Sequence, residues 1–253
     1  MQIIDDKALL LRLRNPQKIT TIIPKSRELA DNKVLVNWGM DEVQVLRNLN
    51  IDVPSPIEGR YQWTGQYKPF NHQKVTASFL TLNKKCFCFN EQGTGKTASA
   101  IWASDFLMKQ GRVNRVLVIC PLSIMDSAWR DDLFKFAMHR TVDVAYGSAN
   151  KRREIIKGGA DYVVINYDGV EIVEDAVING GFDLIIVDEA THYKNVQTKR
   201  WKCLNRIVDA NTWLWMMTGT PAAQSPLDAY GLAKFINPTS VPRFFSSFRD
   251  QVM

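Results

Sequence analysis

The segment Asn90-Glu91-Gln92-Gly93-Thr94-Gly95-Lys96-Thr97 constrains this chain more than any other. It follows a β-prone run, Cys86–Asn90, and opens a helical stretch, Thr97–Gln110, that Gly111 closes as a C-terminal cap. Strand, glycine-rich turn and helix in that order make a phosphate-binding loop. Glycines let the backbone N–H groups of Gln92, Gly93, Thr94 and Gly95 turn inward around phosphates, and the helix N-terminus adds partial positive charge. In such a loop Lys96 reaches the β- and γ-phosphates of a nucleotide such as ATP, and the Thr97 hydroxyl ligates Mg2+. Asn90 stands where the usual pattern has its first glycine. The alternative is a turn between strand and helix that binds nothing; the intact Gly-Lys-Thr and its context weigh against that.

Around this loop the sequence alternates short strands with helices. The strands expected are Cys86–Asn90, Arg115–Pro121, Asp143–Tyr146, Tyr162–Tyr167, Asp183–Asp188 and Trp213–Thr218. Continuous apolar runs such as Val116–Cys120 and Leu184–Val187 suit strands buried on both faces of a parallel sheet. A second helix is expected over Ile124–Ala137, started by Ser123. The fold class is therefore α/β, a doubly wound, mainly parallel sheet of P-loop type. Residues 1–57 read as a small α/β accessory module. It has β-like runs at Leu9–Leu13, Ile19–Ile23 and Lys33–Asn37, an amphipathic helix near Asp41–Leu49, and a Pro-rich boundary at Val53–Pro56. Residues 58–253 form the main domain.

A nucleotide site of this kind needs a second strand ending in an acid. Leu184-Ile185-Ile186-Val187-Asp188-Glu189 supplies it, 92 residues after Lys96. Open α/β sheets place ligands at the C-terminal ends of their strands. There Asp188 would hold Mg2+ through water, and Glu189 would orient and deprotonate the attacking water. A solvated acidic turn after a buried strand is the plain alternative for this segment alone. Paired with the loop, it gives an ATPase core with Lys96, Asp188 and Glu189 as catalytic residues.

These strings also resemble a known family. Asp188-Glu189-Ala190-Thr191-His192-Tyr193-Lys194-Asn195 is similar to motif II of superfamily-two helicases, specifically the Swi/Snf-like branch; Thr191 stands where the family has histidine, with His192 one place later. Met217-Thr218-Gly219-Thr220-Pro221 resembles motif III, Val118–Ser123 with Trp129 motif Ia, and Val164–Tyr167 motif Ib. Phe70-Asn71-His72-Gln73 sits where the family places its adenine-reading glutamine. The similarity covers residues 65–240, and its compactness resembles virus-encoded members. It implies a RecA-like lobe that binds ATP and Mg2+, with Gln73 at the adenine and Thr218 and Thr220 coupling the nucleotide to motion. The whole motor would travel on double-stranded DNA. Pro121, Ser123, Asn166 and Tyr167 would touch the phosphate backbone without reading sequence.

Charge fits a polyanionic partner without proving one. Residues 61–160 carry 15 basic and 7 acidic groups, within a net +6 for the chain. Solvated helix faces would give the same count. No apolar run approaches the roughly 18 residues of a membrane span, and Asp5 and Asp6 are wrong for a secretory signal, so an intracellular protein is expected. Four cysteines without a C-x-x-C pair indicate no zinc site. Trp102, Trp213 and Trp215 read as core, Cys86 and Cys88 as small buried hydrophobes. Lys151-Arg152-Arg153 reads as a solvated helix start, and His139 has no evident partner. Past motif III only Arg243 and Arg249 remain, and nothing resembles the family's final arginine motif. The second RecA-like lobe is thus expected to be absent and the isolated chain nearly inactive. Residues 1–57 offer a surface for a protein partner. Two other readings stay open: a truncated, non-catalytic lobe that acts as a binding or regulatory module, and an RNA helicase or restriction-type translocase lobe.

Overall fold

The computed structural model describes residues 1–220 and 225–253; Pro221 of the motif III string lies outside them. The chain divides into two compact units, Met1–Gln62 and Trp63–Met253.

The first unit is a four-stranded antiparallel sheet with helices. Its strands are β1 (Gln2–Ile4), β2 (Ala8–Arg12), β3 (Arg27–Leu29) and β4 (Lys33–Asn37), in the order β1-β2-β4-β3. Alternation along β2 and β4 buries Leu9, Leu11, Val34 and Val36 on one face. Residues 19–23, expected as a strand, instead fall in and just after helix α1 (Pro16–Ile22). The β-branched run Ile-Thr-Thr-Ile-Ile favours strand, but Asn15 caps the helix by accepting from the Lys18 amide and Pro16 pre-sets its first turn. Such a cap is worth about 1 kcal/mol. Thr20 and Thr21 also fold their hydroxyls back onto the Gln17 carbonyl. Helix α2 (Met40–Asn48) lies where amphipathic periodicity put it, burying Val43 and Leu46.

The Pro-rich stretch is packed rather than free. The Trp38 indole donates to the Pro54 carbonyl at 2.9 Å, and Ser55 is fully buried. Helix α3 (Ile57–Arg60) follows, with Ile57 buried and the Arg60 guanidinium donating to the Asp6 and Lys7 carbonyls. These contacts carry the first unit past the expected boundary, to Gln62.

The second unit is built on six strands, all parallel: β5 (Lys85–Cys88), β6 (Val116–Cys120), β7 (Val142–Val144), β8 (Tyr162–Asn166), β9 (Leu184–Val187) and β10 (Trp213–Met217). Their order is β5-β10-β9-β6-β8-β7. Every strand expected in this unit is present; each ends one or two residues sooner than expected, and β5 and β7 begin one residue earlier. β6 and β9 are buried along their whole length, as continuous apolar runs require. Helices α4 (Asn71–Leu82), α5 (Lys96–Lys109), α6 (Asp131–Phe136), α7 (Ala149–Lys157), α8 (Tyr167–Ile172), α9 (Glu174–Ile178), α10 (Lys199–Ile207), α11 (Ala229–Ile236) and α12 (Phe245–Val252) complete the unit. This is a RecA-like P-loop fold. Among the described residues no helix is long and apolar enough to cross a membrane.

Three local readings need correction. The run expected as one helix over 124–137 winds three ways: a 3-10 turn at Leu122–Ile124, a π-helix at Met125–Arg130, then α6, with no side-chain cap from Ser123. His139 does have a partner. Its Nε2 lies 2.9 Å from an oxygen of Asp105, a fully buried carboxylate that also accepts from Arg140 at 2.7 Å and Lys109 at 3.0 Å. Arg152 is not solvated; it turns inward to the carbonyls of Ala145 and Gly147. The four cysteines are buried thiols, and Trp102 and Trp215 are core, while Trp213 is only partly buried.

Candidate functional site

Parallel register sets the C-terminal ends of the strands side by side. Cys88 pairs with Met217, Val187 with both Met216 and Ile119, and Cys120 with Asn166. The segments following these residues therefore emerge along one edge of the sheet. All the residues singled out from the sequence lie on them except Gln73, which α4 brings up beside the first loop.

That loop is braced from within and from behind. Gly93 and Gly95 stand at φ +78° and +77°, a region that L side chains rarely adopt. A Cβ on Gly95 would also collide with the amide of Gln73. Gln73 donates from Nε2 to the Thr94 carbonyl at 3.3 Å while its Oε1 accepts from the Phe70 amide at 2.9 Å. His72 Nε2 lies 3.0 Å from the same Thr94 carbonyl. Asn90, the departure from the glycine pattern, donates to the Thr76 hydroxyl at 2.7 Å and so ties the loop to α4. The Thr94 hydroxyl closes the turn on the Glu91 carbonyl. The Lys96 ammonium, mostly buried, donates to the carbonyls of Asn90 and Glu91 at 2.8 and 2.9 Å. Gln92 and Gly93 are exposed and Thr97 is half-buried at the start of α5.

Asp188 follows β9 and is only 7 % exposed. Its amide donates to the Ile119 carbonyl. Each carboxylate oxygen accepts one N–H: Oδ1 from Glu189 at 3.0 Å, Oδ2 from the Trp129 indole at 3.0 Å. Burial raises the pKa of this acid, opposed by those two donors and by the positive charge of Lys96. Glu189 sits at φ +49°, ψ +56°, the left-handed region, and is partly exposed. A non-glycine residue there carries roughly 1–3 kcal/mol of strain, a cost characteristic of functional turns.

A cleft of about 430 Å³ joins these groups, lined by Gln73, Gln92, Gly93, Gly95, Lys96, Thr97, Asp188 and Glu189. Tyr67, Lys135 and Phe136 also border it. No motif marks these three in the sequence; an aromatic residue six places ahead of Gln73 is the one signal that could have pointed to Tyr67. Thr218 is buried beside the cleft, its amide on the Cys88 carbonyl and its hydroxyl accepting from Thr220 at 3.1 Å. A Cβ on Gly219 would sit 3.4 Å from the Gln92 amide nitrogen, so this turn abuts the phosphate loop. Thr220 is exposed.

The expected backbone-reading residues divide. Ser123 is exposed and Pro121 partly so, just past β6. Asn166 is partly exposed, but its Oδ1 accepts from Arg152 at 3.0 Å. The Tyr167 side chain points inward instead: it is 6 % exposed, and its hydroxyl donates to the Asp188 carbonyl at 2.6 Å. A bulky aromatic at a helix start lowers its free energy more by burial than by display, which a strand-end reading overlooks. His192 packs on the Tyr167 ring, centroids 4.6 Å apart, beside Arg200; burial lowers its pKa.

The geometry meets matches among known proteins. Residues 32–253 match the family model described as SNF2-related domain. The p41 protein of Acyrthosiphon pisum secondary endosymbiont phage 1 is 29% identical over 181 residues, 68% of this chain and 39% of that protein. Helicase SWR1 of Candida albicans is 29% identical over 212 residues, 79% of this chain and 12% of that protein. Among solved structures, the Sulfolobus solfataricus SWI2/SNF2 ATPase core in complex with dsDNA superimposes with a TM-score of 0.66 at 24% identity, over 74% of this chain and 39% of that one. The chain thus spans well under half the length of these relatives.

Proposed function

The chain belongs to the SNF2-related family, the Swi/Snf-like branch of superfamily-two helicases and translocases, and on that premise we propose that it is an ATP-binding lobe whose hydrolysis drives movement on double-stranded DNA. One observation carries the reading most. The glycine loop with Lys96 and Thr97, and the acids Asp188 and Glu189, line a single cleft although they lie far apart in sequence.

The residues present fit a magnesium nucleotide. The loop holds two glycines at positive φ where backbone N–H groups must face an anion, and Lys96 supplies a cation at the helix start. Mg2+ keeps several waters and takes one or two protein oxygens beside the phosphates, which Thr97 and Asp188 would provide. The bound ion would neutralise charge on the phosphates. Within the chain, Lys96 would exchange a loop carbonyl for phosphate oxygens, and Gln73, already on the loop, would face the base. Glu189, on the cleft lining, would accept the proton of the attacking water. Thr218 and Thr220, beside Gln92, would sense the loop's state.

Polynucleotide contact falls to the exposed Ser123 and the partly exposed Pro121, with Asn166 contributing the part of its amide not held by Arg152. Such contacts address phosphates, so affinity should fall steeply with salt and ignore sequence. Arginines on a further lobe would complete the γ-phosphate's surroundings; without them the 253-residue chain should turn over slowly. Residues 1–57 remain an accessory module that a protein partner could engage.

The test is binding of fluorescent duplex DNA, RNA duplex and single strands to this chain across a salt series, with and without MgATP. Preference for DNA duplex with a steep salt slope supports the reading. Equal or stronger RNA binding would move it to the RNA-helicase alternative.

A further inference from the structure

We propose that Trp129 is a positioning residue for the Asp188 carboxylate, fixing the acid for a cation without neutralising it. The proposal rests on the reading of Asp188 as the magnesium acid. Trp129 is completely buried, and its indole N–H points at Asp188 Oδ2 over 3.0 Å. Four other tryptophans of the chain also spend their indole N–H on an acceptor: Trp38 on Pro54, Trp102 on Thr64, Trp201 on Gly231 and Trp215 on Asn83. All four acceptors are backbone carbonyls. Trp129 alone among these five aims at a carboxylate, and at the one inside the nucleotide cleft.

The segment that delivers it is unusual as well. Between β6 and α6 the chain winds as a π-helix over Met125–Arg130, a form that is rare in proteins and frequent at functional sites. A π-turn holds an extra residue compared with an α-turn and so re-aims the side chains around it. Here the wider turn carries Trp129 into the interior, while Asp126 and Arg130 pair at 2.6 Å on its outer side.

The chemistry of the donor matters. A carboxylate has about four lone-pair sites. Glu189 N–H and Trp129 N–H occupy one on each oxygen, which stops rotation of the group and leaves the remaining sites for water on a metal. The Tyr167 hydroxyl also holds the backbone of this residue, donating to the Asp188 carbonyl. An arginine or lysine in place of Trp129 would also hold the acid, but would compete with the divalent cation for its charge. An indole donates one hydrogen bond and brings no charge.

The experiment uses the full chain and a fluorescent ATP analogue. Nucleotide affinity is measured in EDTA, and the half-saturating Mg2+ concentration at fixed nucleotide, for the wild type, Trp129→Phe and Asp188→Asn. Phenylalanine keeps an aromatic ring and removes the donor. We expect metal-free affinity within about twofold of wild type and a Mg2+ half-saturation raised about ten- to a hundredfold, the range typical of lost partners behind metal ligands. An unchanged Mg2+ requirement, or an equal loss in EDTA, would make Trp129 a packing residue and overturn the proposal. A second measurement does not need that variant to fold. In ¹⁵N-tryptophan-labelled protein one indole N–H resonance should move on Asp188→Asn and again on adding Mg2+-nucleotide to wild type; no movement would refute the contact. Wild type that binds no nucleotide in either condition would instead sink the nucleotide-site reading, with the indole resonance in Asp188→Asn still reporting the bond.

Discussion

Replacing Tyr167 with phenylalanine separates two roles that the sequence leaves together. The ring is buried, lies edge-on to Tyr193 at 5.8 Å, and carries the Arg200 guanidinium 4.9 Å above it. Phenylalanine keeps all of that packing. What it removes is the hydroxyl, which burial keeps protonated by pushing its pKa up, and which donates to the Asp188 carbonyl at 2.6 Å. That carbonyl would lose a donor inside the core, where an unsatisfied polar group costs about 1–3 kcal/mol. In a domain of 150–250 residues each kcal/mol lowers Tm by about 2–4 °C, so Tyr167→Phe should melt about 2–12 °C below wild type. Differential scanning fluorimetry and urea unfolding read this directly. Because the side chain faces inward, duplex DNA affinity and its salt slope should be unchanged. Undiminished stability together with weakened DNA binding would refute the reasoning and return Tyr167 to the phosphate-contacting set.

Other substitutions probe the rest of the site. Glu189→Gln preserves shape and removes the base, so nucleotide should bind as in wild type while single-turnover hydrolysis falls at least a hundredfold; equal loss of binding would make Glu189 structural. Gly95→Ala adds a Cβ against the Gln73 amide at a backbone angle alanine avoids, and should weaken nucleotide binding at least tenfold in an equilibrium titration. Retained affinity would show that the loop adapts. Asp105→Ala strips a buried carboxylate from His139, Arg140 and Lys109. Loss of a buried partner costs about 3–5 kcal/mol, and the lower end is expected because Lys109 and His139 reach solvent. A denaturation midpoint equal to wild type would deny Asp105 its structural role.

The parallel sheet was legible because β6 and β9 are buried on both faces, and continuous apolar runs have few other homes. The loop was legible because glycine, lysine and threonine at fixed spacing carry their own geometry. Residues 19–23 were not, since Ile-Thr-Thr-Ile-Ile favours strand and a cap four residues upstream decides otherwise. His139 was opaque because its partner Asp105 is 34 residues away, and Arg152 because a bend of the chain brings it the carbonyls of Ala145 and Gly147 together with Asn166, 14 residues on. Asn90 departs from the glycine pattern, and the use of its amide, a bond to Thr76 on another element, is visible only in the fold. The bond from Trp129 to Asp188 spans 59 residues and depends on a π-turn that periodicity cannot signal.

Whether Lys96 faces a nucleotide phosphate decides the function proposed for this cleft. Isothermal titration of MgATP into the 253-residue chain and into Lys96→Ala tests this most directly, with circular dichroism confirming that both are folded. The loop geometry predicts saturable 1:1 binding by wild type and at least a tenfold loss in the variant, because the ammonium between Asn90 and Glu91 is the cleft's cation nearest the glycine loop. Equal affinity in the two proteins, or no saturable binding by folded wild type, would contradict it.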